Sequence, residues 1–309
     1  VVNMSIPGLM DPWQREFTGT APREYVHRRA IAEVFLTDAW RCVGKDAFTL
    51  ITQWPRAHLL YAPLHGRWYD PMVAVETIRQ AGLLVAHAEY GVPLGYQFIV
   101  ESIELTTHKA VPVGPLPAEL DLRVDADDFR WRGQRLSHMR CTFHFWQGSE
   151  NVMTGSGTFT CVPPRLYRRL RGSRAAAVLT PPQPPVPAAE TTGGRHEQNI
   201  LLAPGRGPRS WQLRVDPLHP VLFDHPVDHM PGMALLEAAR QAAEAVTDPG
   251  LLPTRIRIAF ERYVEFGSPC WIEADPEPSG DDGTTEVNVI ACQSGTPACR
   301  ATIVMKPGA

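Results

Sequence analysis

The strongest constraint on how this chain folds is a motif that occurs twice in one register. The stretch from His58 through Asp70-Pro71-Met72-Val73-Ala74-Val75-Glu76-Thr77-Ile78-Arg79-Gln80-Ala81 aligns without gaps with a second one. That second stretch runs from His219 through Pro231-Gly232-Met233-Ala234-Leu235-Leu236-Glu237-Ala238-Ala239-Arg240-Gln241-Ala242. Glu76 falls on Glu237, Arg79 on Arg240 and Gln80 on Gln241, giving the shared string E-x-x-R-Q-A. The register continues through Ile99/Phe260, Ile103/Val264 and Glu104/Glu265. A polar triplet, two of its members charged, at matched places in two apolar stretches is not a chance event. Two distant copies make a duplicated domain, not a solenoid of stacked repeats. A length of 309 residues suits two ordinary domains.

Each copy shows the same order of elements. A short strand is expected near Ala32 to Leu36 and near Ser210 to Val215. A long loop rich in His, Pro and aromatic residues follows, then a helix, about Pro71 to Tyr90 and about Gly232 to Val246. Alternating or β-branched runs come next: Tyr96 to Thr107, Ala118 to Val124, Leu136 to Trp146 and Val152 to Val162 in the first copy. The second copy has Thr254 to Phe266, Cys270 to Ala274, Glu286 to Cys292 and Ala298 to Met305. Turns at Gln147-Gly148-Ser149 and Ser294-Gly295-Thr296 separate the last two strands of each copy. One strand, one long apolar helix and an antiparallel meander describe an α+β fold of two tandem hotdog domains. Each would be a sheet wrapped around a central helix, the two forming an intramolecular pseudo-dimer. The expected domains are 22–165 and 196–309. A linker, 166–195, would join them. It opens on the basic run Arg165-Leu166-Tyr167-Arg168-Arg169-Leu170-Arg171, passes through the proline cluster Pro181 to Pro187 and ends near Gly193-Gly194. Such a cluster spaces domains without packing into a core.

The central helices carry a polar stripe. The first is apolar nearly all round, which marks a buried helix, yet Glu76, Gln80 and His87 share one face with Arg79 adjacent. The second repeats this with Glu237, Gln241 and Glu244, again with Arg240 adjacent. A carboxylate on a buried helix is costly unless paired or put to use. Two readings stay open. Glu76–Arg79 and Glu237–Arg240 are intrahelical ion pairs holding the helices. Alternatively, burial raises the glutamate pKa and makes a base that works near neutral pH.

The loop Phe223-Asp224-His225-Pro226-Val227-Asp228-His229-Met230-Pro231-Gly232-Met233 is the more distinctive stretch. Pro231 and Gly232 suit a helix start. The N–H groups near Gly232 and Met233 could polarise a thioester carbonyl. His225 and His229 are either acid/base groups or loop residues bonded to backbone. The loop spacing of these histidines with Asp224 and Asp228 matches no standard metal motif, so no metal is expected.

These residues resemble a known family. The strings D-H-P-V-D-H-M-P-G-M-A-L-L-E-A-A-R-Q-A (Asp224 to Ala242), E-V-F-L-T-D (Glu33 to Asp38), Q-W-P-R-A-H (Gln53 to His58), D-P-M (Asp70 to Met72), E-T-I-R-Q-A-G (Glu76 to Gly82) and A-H-A-E-Y-G-V-P-L-G (Ala86 to Gly95) are similar to the AfsA family of γ-butyrolactone autoregulator biosynthesis enzymes. The likeness spans nearly the whole chain. It implies an acyltransferase that joins a β-ketoacyl group from acyl carrier protein to the primary hydroxyl of dihydroxyacetone phosphate. The ester phosphate then cyclises to a butenolide. The only prosthetic group implied is the carrier's phosphopantetheine. The family's functional positions map to Glu76, Glu237 and Arg240. On this reading Glu237 is the base or orients the hydroxyl, Arg240 holds the phosphate, and Arg79, Gln80 and Gln241 complete the binding sets. The Glu76 site is a second site or a retired copy. P-G-M-x-x-x-E-A also resembles the more distant 3-hydroxyacyl-ACP dehydratases, which share the hotdog fold. The rival readings are a hotdog thioesterase or dehydratase and a non-catalytic acyl-binding scaffold.

The remaining composition narrows the field. A net charge of −3 gives no global attraction to nucleic acid. The apolar helices are interrupted by charge, so no membrane span is expected. Val1 to Phe17 lacks the basic start and apolar run of a signal peptide. The six cysteines show no C-x-x-C pair, which suits thiols in a reducing cytoplasm. The basic run Arg165 to Arg174 is either a dock for an acidic carrier or a solvated edge.

Overall fold

The computed structural model describes residues 17–177, 184–185 and 195–307. The N-terminal stretch before Phe17, most of the proline cluster and Gly193-Gly194 lie outside the described residues. The chain divides into two compact units, Val1–Tyr167 and Arg168–Ala309.

In the first unit, strands β1 (Leu36–Gly44) and β2 (Ala47–Trp54) precede helix α1 (Pro71–Ala88). Strands β3 (Gln97–Thr107), β4 (Ala118–Arg132), β5 (Arg135–Gln147) and β6 (Glu150–Val162) follow. They pair antiparallel in the order β1-β2-β4-β5-β6-β3. Alternation sets the faces: Phe48, Leu50 and Thr52 lie opposite Val124, Leu122 and Leu120 and are buried. Helix α1 touches β1, β2, β3, β5 and β6, so the sheet curves around it. Every residue from Pro71 to His87 except Arg79 is buried, which explains why this helix is apolar on all faces. Space is tight: a Cβ on Gly82 would stand 2.4 Å from the Phe159 ring.

Helix α2 (Pro164–Arg171) leads toward the second unit. There β7 (Leu202–Gly207) and β8 (Ser210–Leu213) precede α3 (Gly232–Ala245). Strands β9 (Leu251–Phe260), β10 (Cys270–Pro276), β11 (Thr285–Gln293) and β12 (Thr296–Pro307) complete an antiparallel sheet ordered β9-β12-β11-β10-β8-β7. Residues Met233 to Ala243 of α3 are all buried. Both units therefore have the α+β build expected from the repeat.

Several boundaries differ from the sequence reading. Each unit starts with a hairpin, not a single strand, and Ala32 to Glu33 lie in a 3-10 turn before β1. β1 is mostly exposed and β7 carries Pro204 and two glycines, so neither shows the alternation of a half-buried strand. β4 runs on to Arg132 past a bulge at Asp127 to Arg130. β9 stops at Phe260, because the Glu261 and Arg262 N–H groups turn aside to the Ala298 carbonyl. Among the described residues no helix is long and apolar enough to cross a membrane. The six cysteines are free thiols.

Candidate active site

The repeated polar residues build the same clamp in both units. Gln80 Nε2 donates 2.7 Å to the Glu33 carbonyl, and its Oε1 accepts from the Phe35 N–H at 2.9 Å. Gln241 does the same to the Asn199 carbonyl (2.7 Å) and the Leu201 N–H (3.0 Å). Each glutamine thus pins the segment entering the first hairpin onto the helix. His58 Nδ1 accepts from the Leu60 and Tyr61 N–H groups, and His219 Nδ1 from those of Val221 and Leu222. Their Nε2 atoms meet the Glu33 carboxylate and the Asn199 amide oxygen. These residues satisfy buried backbone groups. A substrate-binding part for Gln80 and Gln241 would have to compete with that work.

The glutamates are paired on every side. Glu76 is fully buried and its Oε1 accepts from Arg28 Nη2, Arg79 Nη2 and Gln80 Nε2, each at 2.7 Å. Its Oε2 accepts from Arg79 Nε at 2.9 Å. Burial alone would push this carboxyl up, but the Arg28 and Arg79 guanidiniums and the Gln80 amide outweigh it and hold the pKa at about 2. The expectation of a raised pKa is therefore corrected for Glu76, which is a permanent anion near neutral pH. His87, on the same helix face, meets His27 Nε2 at 3.0 Å and the Val92 carbonyl at 2.6 Å instead.

In the second unit Arg240 Nε donates 2.8 Å to Glu237 Oε2, and its Nη2 pairs with Oε1 of the same carboxylate. Arg240 Nη1 pairs with Glu244, which Arg195 also reaches. Gln241 Nε2 adds a 2.8 Å bond to Glu237 Oε1. With its side chain only 3% exposed, Arg240 could hold a phosphate only by giving up Glu237 or Glu244.

The two helix starts differ in a way that matters for chemistry. Asp70 caps α1, its Oδ1 accepting from the Met72 N–H at 2.9 Å. The matched residue in the second unit is Pro231, which has no side-chain cap to offer. A carboxylate thus covers the first turn of α1, whereas the first-turn amides of Gly232 and Met233 carry no cap from Pro231. Gly232 keeps this start close-packed but half-open: a Cβ there would lie 3.3 Å from the Phe260 ring. Asp70→Ala is expected to cost about 1 kcal/mol, read as a lower urea midpoint with an unchanged slope.

Beside the start of α3, His229 Nδ1 lies 2.6 Å from Asp228 Oδ1. A carboxylate only accepts, so Nδ1 carries the proton and Nε2 is the basic nitrogen. Burial holds the imidazole below the usual histidine range, against the pull of Asp228. The His229 side chain is still 26% exposed. Its ring meets Tyr263 edge to face at 4.6 Å between centroids. His225 is more exposed, with Nδ1 3.9 Å from Asp224 Oδ2, too far for a hydrogen bond. The structure thus brings His229, Asp228 and the α3 start into one stretch. Sequence reading missed Arg171, Tyr263 and Glu265 as members of this cluster. Glu265 had a signal, its match to Glu104 in the repeat. Arg171 had none, since it sits in a run whose Arg165, Arg168, Arg169 and Arg174 are exposed while it alone of the five is buried.

A family model described as the AfsA A-factor biosynthesis hotdog domain matches residues 11–163 and 181–306. A Streptomyces virginiae protein named 2-oxo-3-(phosphooxy)propyl 3-oxoalkanoate synthase is 46% identical, covering 90% of this chain and 95% of its own length. A Streptomyces griseus protein of the same name is 39% identical, covering 88% and 91%. Among solved structures, the 12:0-ACP thioesterase of Umbellularia californica covers 87% of this chain and 100% of its own, with TM-score 0.51 and 11% identity. That last likeness establishes the hotdog fold.

Proposed function

This chain belongs to the AfsA family of A-factor biosynthesis hotdog proteins, and from that premise we propose that it is a 2-oxo-3-(phosphooxy)propyl 3-oxoalkanoate synthase. The name describes an ester. Its acyl half is a 3-oxoalkanoyl group, and its alcohol half is dihydroxyacetone phosphate. The enzyme is therefore an acyltransferase: the primary hydroxyl oxygen attacks the thioester carbonyl carbon, the C–S bond breaks, and a thiol leaves. The ester then cyclises to a butenolide phosphate, the precursor class of γ-butyrolactone signals.

The observation that carries the site assignment is the uncapped start of α3 beside the Asp228–His229 pair. His229 Nε2 takes the hydroxyl proton and returns it to the departing thiolate. The Gly232 and Met233 amides receive the carbonyl oxygen as it becomes an oxyanion. Arg240 and Gln241 occupy Glu237 while Gln241 ties α3 to Asn199 and Leu201, and Glu76 ties α1 to Arg28. His225, with its side chain 42% exposed, lies in the loop before α3. The donor is carried on the phosphopantetheine thiol of an acyl carrier protein. The exposed Arg165, Arg168, Arg169 and Arg174 support that choice, since carriers of this type are acidic. Free thiols at all six cysteines support a reducing, cytoplasmic setting.

The test is a product assay by mass spectrometry with a 3-oxoacyl thioester, with and without dihydroxyacetone phosphate. Wild type should form the ester phosphate or its butenolide only when acceptor is present. Pro231→Asp, which copies the Asp70 cap of the first unit, should fold and lose most of that product. Free acid released regardless of acceptor would make the protein a thioesterase instead.

A further inference from the structure

Arg171 closes helix α2 at the end of an exposed basic run, yet it is only 5% exposed. Its guanidinium is spent on two carboxylates and a ring. Nε donates 3.0 Å to Asp228 Oδ2, and Nη2 donates 2.9 Å to the Asp228 carbonyl. Nη1 and Nη2 grip Glu265 in a fork, at 2.7 Å to Oε1 and 2.8 Å to Oε2. Its Cζ stands 4.3 Å above the Tyr263 ring. The Asp228 carboxylate is thereby divided: Oδ2 faces Arg171 and Oδ1 faces His229. The same Tyr263 ring that carries the guanidinium supports the imidazole edge. Both neighbours that orient His229 are therefore held by Arg171.

We infer that Arg171 is a positioning residue for His229, fixing the carboxylate and the ring between which the imidazole is set. This rests on the proposed part of His229 as the base. The physical argument is one of charge and geometry. The guanidinium makes four bonds, two of them a planar fork on Glu265, which the three donors of a lysine ammonium cannot reproduce. Without that cation, Asp228 loses its guanidinium and Glu265 keeps only the exposed Arg174, 3.8 Å away, so negative charge near His229 is left largely unbalanced. That field favours imidazolium and silences the basic nitrogen. The charged or titratable groups around the imidazole are Asp228, Arg171, Glu265 and Tyr263.

The test follows the His229 ring by NMR titration in wild type, Arg171→Met and Arg171→Lys, with kcat/KM measured against pH for each. Arg171→Met should bind the His229 proton about tenfold more tightly, one pH unit. The acid limb of kcat/KM should move up by the same amount. Arg171→Lys should restore much of the titration but leave kcat reduced roughly tenfold or more, because the fork is lost. In a His229→Ala background Arg171→Lys should change the rate no further, as expected for two residues acting as one unit. If Arg171→Met does not fold, Arg171→Lys and the double variant still decide the matter. An unmoved His229 titration, with rates falling only as the folded fraction falls, would overturn the inference. Undiminished activity in His229→Ala would instead remove the base assignment. A shifted titration would in that case still establish the coupling to Arg171.

Discussion

Replacing His229 by alanine is expected to lower kcat for ester formation by about 10²- to 10⁴-fold, the range for a lost general base. The thermal midpoint should stay close to that of wild type, because the side chain is 26% exposed and leaves little cavity. Asp228→Asn should fall in the same direction. An amide can donate as well as accept, so the ring is no longer confined to the tautomer with Nε2 free. The pH dependence has a definite sign. The neutral imidazole is the active form, and burial sets its pKa below the usual histidine value. Activity is therefore present above that lowered pKa and lost as pH falls through it. Steady-state kinetics on the folded variants checks all three points. Wild-type turnover in His229→Ala would move the proton transfer to Glu237 and would require its pairing with Arg240 to open in the presence of substrate.

The largest effect on stability is expected at the other repeat. Glu76→Gln removes the carboxylate that Arg28 and Arg79 share, whose side chains are 7% and 15% exposed, and leaves Arg28 the weaker pull of Glu33. Stranding buried cations in this way costs about 3–5 kcal/mol. Glu237→Gln should cost less, because Arg240 keeps its second partner Glu244. Acid titration separates the two again. The Glu76 pKa is held down at about 2 in the fold and returns to the ordinary carboxylate value on unfolding. The unfolded chain therefore binds the proton more readily, and stability falls with pH. This contribution, about 3 kcal/mol by pKa linkage, is complete above the unfolded value and is lost as pH falls through about 2. Urea unfolding of wild type between neutral pH and pH values near that limit should show the loss. Glu76→Gln should show a flatter curve over the same window. A Glu76→Gln protein as stable as wild type would mean that the two guanidiniums find other partners.

The matched glutamates are both engaged by guanidinium and amide donors in the fold. The same E-x-x-R-Q-A string gives the same clamp in both units, down to the glutamine that holds Glu33 and Phe35 in one and Asn199 and Leu201 in the other. What differs is the residue at the helix start, Asp70 against Pro231. That difference closes one helix N-terminus with a carboxylate and leaves the other without one.

By itself the sequence determined the duplication, the two buried helices and most of the strands, because these are written in periodicity. A period of two or of 3.6 reports local geometry directly. It also placed Asp228, His229, Gly232 and Met233 on one short stretch, since neighbours in a loop are neighbours in space. It did not determine the charge state of Glu76 or the setting of His229. Those depend on Arg28, 48 residues before Glu76, and on Arg171, 57 residues before Asp228. A buried carboxyl is a base or a permanent anion according to the cations within a few ångströms of it. That balance of desolvation against pairing exists only once the chain has folded.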